Sequence, residues 1–149
     1  MGIPFDHTQY ALDSNMIMGA SSTQVDRTGT FTDEEFWRSY INPGMVGVMS
    51  MLEAELAFNG YTDGSSTVTF KWQIRPHGQS AWVTLFTSSG STWPTNIERK
   101  ASVVFDPSGT TEDDVPFELR LVITTSASDT VHVIVDNTDN TVRVVGESL

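Results

Sequence analysis

From Thr67 to Arg75 the chain reads Thr-Val-Thr-Phe-Lys-Trp-Gln-Ile-Arg, apolar and polar side chains alternating without a break. Successive side chains of an extended chain point to opposite faces, so this pattern predicts a strand with one buried face: Val68, Phe70, Trp72 and Ile74 inward, Lys71, Gln73 and Arg75 outward. Pro76 to Ser80 supplies turn residues, and Ala81 to Phe86 follows as a second extended run, so the two form a hairpin. An aromatic row of this kind needs an opposing apolar surface, and the rest of the chain must provide it.

Further strands follow from the same periodicity. Val46 to Phe58 places Leu52, Ala54, Leu56 and Phe58 on one face; it exceeds the usual strand length, which predicts a bend or bulge near Gly47 to Ser50 that lets it serve two sheets. Arg99 to Phe105, Phe117 to Thr124, Val131 to Val135 and Thr141 to Val145 read as strands, the last two joined by the polar turn Asn137 to Asn140. A weaker strand is expected within Ser22 to Phe31. Thr32 to Ile41 is open between two readings: Thr32 and Glu35 have the spacing of a capping box for a short helix, and the same residues fit an aromatic-rich strand. Ser88 to Asn96 and the acidic run Asp106 to Asp114 read as loops. Eight strands, almost no helix and no repeat predict an all-β antiparallel β-sandwich, an eight-stranded jelly roll or a relative of it, spanning residues 21–149. Residues 1–20 have no sustained period and carry Ile3, Phe5, Tyr10, Met16 and Met18, which predicts an extended N-terminal arm that packs on something.

Composition narrows the function. The chain of 149 residues has no cysteine, so disulfide frameworks, thiol catalysis and Cys-ligated zinc are excluded. With 19 acidic and 8 basic residues its net charge is -11, which repels nucleic-acid phosphates and anionic membranes. Lys71, Arg75, Arg99 and Lys100 against Glu98 give a local basic excess, a candidate subunit contact. No apolar run approaches the roughly 20 residues of a membrane span. The N-terminal run lacks the charged and apolar regions of a secretion signal, so synthesis without a signal peptide is expected.

Chemistry-bearing patterns are sparse. His7, His77 and His132 fall in an arm, a turn and a strand, with no nucleophile elbow and no paired metal-ligand spacing. Asp106, Glu112, Asp113 and Asp114 offer hard oxygen ligands without the spacing of a calcium loop. Glu53 and Glu55 share one strand face, which reads as a solvated face more simply than as a glycosidase pair. No enzyme activity and no cofactor are expected. Carbohydrate binding is the stronger rival, because β-sandwich modules stack sugars on exposed aromatics, and Trp93, Tyr61 and Trp37 sit in or beside predicted loops.

The runs Phe70 to Arg75, Trp82 to Leu85, Val115 to Leu121 and Val131 to Thr138 resemble the small jelly-roll decoration, or cement, proteins of tailed phages over residues 46–146. The resemblance implies a non-enzymatic, homotrimeric virion protein that binds a major capsid protein on the outside of the shell and stabilises it. The arm residues Ile3, Phe5, Tyr10, Met16 and Met18 would make the shell contact, with Arg75 available to a partner on the sheet.

Overall fold

The computed structural model describes residues 4–10, 23–41, 47–76, 78–106, 117–135 and 141–148, with side chains over 29–35, 37–38, 51–76, 78–106 and 117–133. These residues form strands β1 (Pro4–Tyr10), β2 (Thr23–Gly29), β3 (Glu34–Ile41), β4 (Gly47–Thr62), β5 (Thr67–Pro76), β6 (Val83–Thr87), β7 (Ser91–Thr92), β8 (Ile97–Phe105), β9 (Phe117–Thr125), β10 (Asp129–Val135) and β11 (Thr141–Ser148). All pairings are antiparallel, and the described residues contain no helix.

One sheet contains β2, β10, β4 and β8, the other β3, β9, β5 and β6. Phe58 lies opposite both Arg99 and Val135, and Leu52 opposite both Phe105 and Val144. So β8 takes one side of β4, while β10 and β11 share the other. The chain crosses between sheets at β2–β3, β3–β4, β4–β5, β6–β8, β8–β9 and β9–β10, the winding of a jelly roll. Its eight strands are not the eight counted from alternation. Thr32 to Ile41, left open between helix and strand, supplies β3, whereas β11 is an addition that pairs with β4 and carries β1 on its far side.

Two irregularities shape the core. The β4–β11 register slips between Met51 and Met49, leaving Ser50 as the extra residue. This is the expected bulge, but β4 remains in one sheet and does not serve two. In β3, Glu35 faces Val122 and Trp37 faces Leu121, so Phe36 is the extra residue. A bulge inverts the alternation beyond it. It therefore turns Trp37 inward beside Leu121. The capping-box acid Glu35 binds Arg38 instead of a helix terminus.

The inward rows meet as expected. Leu52, Leu56, Trp72, Ile74, Leu119 and Leu121 have no exposed surface, and Val68 has almost none. Trp37 and Trp72 pack edge to face with ring centroids 5.6 Å apart, an arrangement favoured by the aromatic quadrupole. Phe70 alone of the β5 row is only partly buried. Truncating Trp72 to Ala should cost about 3–5 kcal/mol, the usual range for a large aromatic in a core. Chemical denaturation checks this; a loss no larger than that of a surface substitution would contradict the packing described.

Candidate functional site

The outer face of the β3-β9-β5-β6 sheet carries a dense ionic layer. Arg75 Nε donates to Glu118 Oε2 at 2.8 Å, and Arg38 reaches the other Glu118 oxygen at 3.3 Å. Arg38 also grips Glu35 through two nitrogens at 2.9 and 3.1 Å. Arg120 donates to the Gln73 side-chain oxygen at 2.8 Å, and Gln73 in turn donates to Thr84 Oγ1 at 3.1 Å. Trp82, just ahead of β6, lies across this layer: the guanidinium carbons of Arg120, Arg75 and Arg38 are 4.1, 4.3 and 5.4 Å from its ring centroid. Three like charges share this space because two carboxylates and an aromatic face stand between them. Burial lowers the Arg120 pKa, with Glu35 opposing that shift, yet a guanidinium stays charged at physiological pH.

Arg75 is therefore ion-paired within its own sheet, with its side chain still partly exposed. The expected basic patch also divides: Lys71 and Arg75 lie in this layer, Lys71 on Asp33 at 2.8 Å, while Arg99 and Lys100 belong to β8 in the other sheet. Arg38, Arg120 and Trp82 were not singled out from the sequence. Their polar alternation was visible, but their convergence depends on cross-strand register, such as Arg120 opposite both Arg38 and Gln73. Of the arm residues, Phe5 and Tyr10 lie in β1 opposite Gly146 and Thr141. Ile3, Met16 and Met18 lie outside the described residues, as do His77, Glu112, Asp113 and Asp114.

The aromatics proposed as sugar platforms are placed elsewhere. Trp37 is in the core. Trp93 is only 2% exposed, packs on Phe58 at 5.7 Å and is covered by Arg99 at 4.8 Å. The loop around it is anchored by Thr62 N–H donating to the Trp93 carbonyl at 2.8 Å. A Cβ on Gly60 would stand 3.1 Å from the Trp93 ring, so glycine there makes room for the indole. Tyr61 stacks on His132 at 4.2 Å, whose Nε2 is 3.1 Å from the Asp63 carboxylate. Among the described residues no group of three His, Asp or Glu side chains is placed to hold a metal ion.

A third feature is apolar. Val83 and Phe86 on β6 and Ile97 and Val104 on β8 are 45, 44, 51 and 70% exposed. The partly buried residues that pack against the core are Phe70, Leu85 and Phe105, on β5, β6 and β8. β6 and β8 approach each other at this side of the sandwich, and the partly buried Leu85 and Phe105 that pack on the core belong to these two strands. A sequence signal for it exists: from Pro76 to Ile97 there is no Asp, Glu, Lys or Arg, in a chain 18% charged.

Trp93→Ala should lower stability by about 3–5 kcal/mol as a core truncation, read by chemical denaturation; a fold of unchanged stability would return Trp93 to the surface. A second outcome concerns acid. Ser66, whose backbone N–H donates to Asp129 Oδ2 at 2.8 Å, holds the Asp129 carboxyl below its ordinary pKa. Stabilisation from a lowered carboxyl pKa is present above the unfolded value of about 3.9 and is lost as pH falls through the folded one. Asp129→Asn should therefore melt below the wild type at neutral pH, and the gap should close below about pH 4. A gap that stays constant across that range would contradict the assignment.

No protein-family model matches the chain, and no curated protein does. Among solved structures, the chain is similar to Eiger TNF from S. frugiperda at 10% identity and TM-score 0.46, over 97% of this chain and 92% of that one. It is also similar to infectious bursal disease virus Gt strain at 12% identity and TM-score 0.48, over 98% of this chain and 38% of that one. The VP2 subviral particle of the same virus matches at 12% identity and TM-score 0.46, over 97% and 36%. The chain thus spans little more than a third of those viral chains. At these TM-scores the likenesses assign the chain neither family nor function.

Proposed function

We propose that this chain is a non-enzymatic structural subunit of a virion, a decoration protein that binds the outside of a shell built by a major capsid protein and stabilises it. One observation supports the reading: among the described residues, the large exposed apolar side chains Val83, Phe86, Ile97 and Val104 lie on the edge strands β6 and β8, a placement that suits contact with another protein surface better than enclosure of a small substrate. Jelly rolls serve capsids and lectins alike, so the choice rests on the surface. A glycan-binding reading would fall on Tyr61, one face of which stacks on His132, or on Trp82, one face of which lies over Arg75 and Arg120.

In density-gradient-banded particles from cultures that make this protein, its peptides should co-sediment with the major capsid protein. Particles lacking it should release their contents at a lower temperature than complete ones. Recovery of the chain only from the unsedimented fraction would overturn the proposal.

A further inference from the structure

We infer that the ionic layer beneath Trp82 is an oxyanion site, one that takes a single carboxylate borne on a ring. This goes beyond the capsid reading and does not depend on it. A charge is left over in the layer. Three guanidiniums, those of Arg38, Arg75 and Arg120, share two carboxylates, those of Glu35 and Glu118. Lys71 and Asp33 beside them add one charge of each sign. One positive charge therefore remains, in a chain whose net charge is -11.

The surplus falls on Arg120. Arg38 donates to both carboxylates, and Arg75 gives two nitrogens to Glu118. Arg120 donates instead to the neutral Gln73 amide, and its ion pair with Glu35 is 3.7 Å long. Yet its side chain is the most buried of the three, 16% exposed against 22% for Arg75 and 32% for Arg38. Burying a charge without a matched, hydrogen-bonded counter-charge is costly. Among the described residues, neither terminal nitrogen of Arg120 makes a hydrogen bond, nor does Arg75 Nη1, nor the Trp82 indole N–H. Donors without acceptors, clustered about a surplus cation, are the complement of a carboxylate.

Charge and shape narrow the ligand. A phosphate monoester carries about 1.5 to 2 negative charges at neutral pH, more than the layer leaves unmatched, whereas a carboxylate carries one. Guanidinium forks also suit planar carboxylates through paired hydrogen bonds. Trp82 accounts for the ring. Arg75 and Arg120 lie against one face of the indole at 4.3 and 4.1 Å, and the residue is partly exposed. Cations on one face draw negative charge away from the other, so that other face favours an anionic ring over a neutral one. The hairpin that carries Trp82 adds no opposing carboxylate, since Pro76 to Ile97 contains no Asp or Glu.

Heteronuclear NMR of the full-length protein tests the inference through its tryptophan indole N–H signals, the Trp82 signal being the one lost in Trp82→Phe. Sodium D-glucuronate and sodium benzoate present a carboxylate on a sugar ring and on an aromatic ring. Acetate presents the carboxylate alone and D-glucose the ring alone, all at matched ionic strength. Glucuronate or benzoate should shift the Trp82 signal with a dissociation constant at least about 10-fold below those of acetate and glucose. The tighter of the two identifies the source of the carboxylate. Arg120→Gln, which removes the surplus charge, should weaken that binding about 10-fold or more with an unchanged circular dichroism spectrum. Should it fail to fold, Trp82→Ala, read by calorimetry, decides in its place and should weaken binding likewise. No shift with either ring carboxylate, equal binding of acetate or glucose, or a folded variant that binds as the wild type does overturns the inference. Particle association is read separately, so either proposal can fail while the other stands.

Discussion

Strand β4 carries hydrogen-bonded partners along both edges, and the placement of nearly every other element follows from it. Its later half holds β10 on one side and β8 on the other, while its earlier half holds β11 opposite the end of β8. Because Leu52, Ala54, Leu56 and Phe58 must all face the interior, a one-residue slip in any of these ladders would turn a partner's apolar row to solvent. The bulge at Ser50 is tolerated because it falls where β11 alone pairs with β4, ahead of the β8 ladder.

The opposite sheet answers with aromatic volume. Trp72 and Trp37 are contributed by strands that do not pair with each other; β9 lies between them. Their edge-to-face contact is made over Leu121, which pairs with both. The outward faces of the same strands carry the layer of arginines and carboxylates beneath Trp82, so one sheet is apolar below and ionic above. Val122, outward yet fully buried, lies under that layer.

Much of this was legible in the sequence because strict alternation reports a half-buried strand directly. The rows of β4, β5 and β9 fall on the faces their patterns predict. Legibility fails where a residue's fate depends on something other than its own period. Trp37 faces inward because Phe36 is bulged, and no local pattern signals a bulge. Trp93 sits among Ser, Gly, Thr and Pro and reads as a loop aromatic, yet the space above Gly60 admits it to the core. Arg75 reads as free because its counter-charge, Glu118, is distant in sequence and adjacent only in register. The uncharged run from Pro76 to Ile97 was present in the sequence; its meaning emerged once β6 and β8 proved to be edges.

The pairing of β1 with β11 has a kinetic meaning. Pro4 lies opposite Glu147 and Tyr10 opposite Thr141, so the first strand has no partner until nearly the whole chain is available. Closing so long a loop carries a large entropy cost before any ladder bond rewards it, and topologies of this kind fold slowly. During that interval β1 and the first residues of β4 are strand edges without their β11 partner. Strong overall negative charge is then a safeguard of folding as well as of the finished protein, since it keeps neighbouring incomplete chains apart while their edges wait for partners.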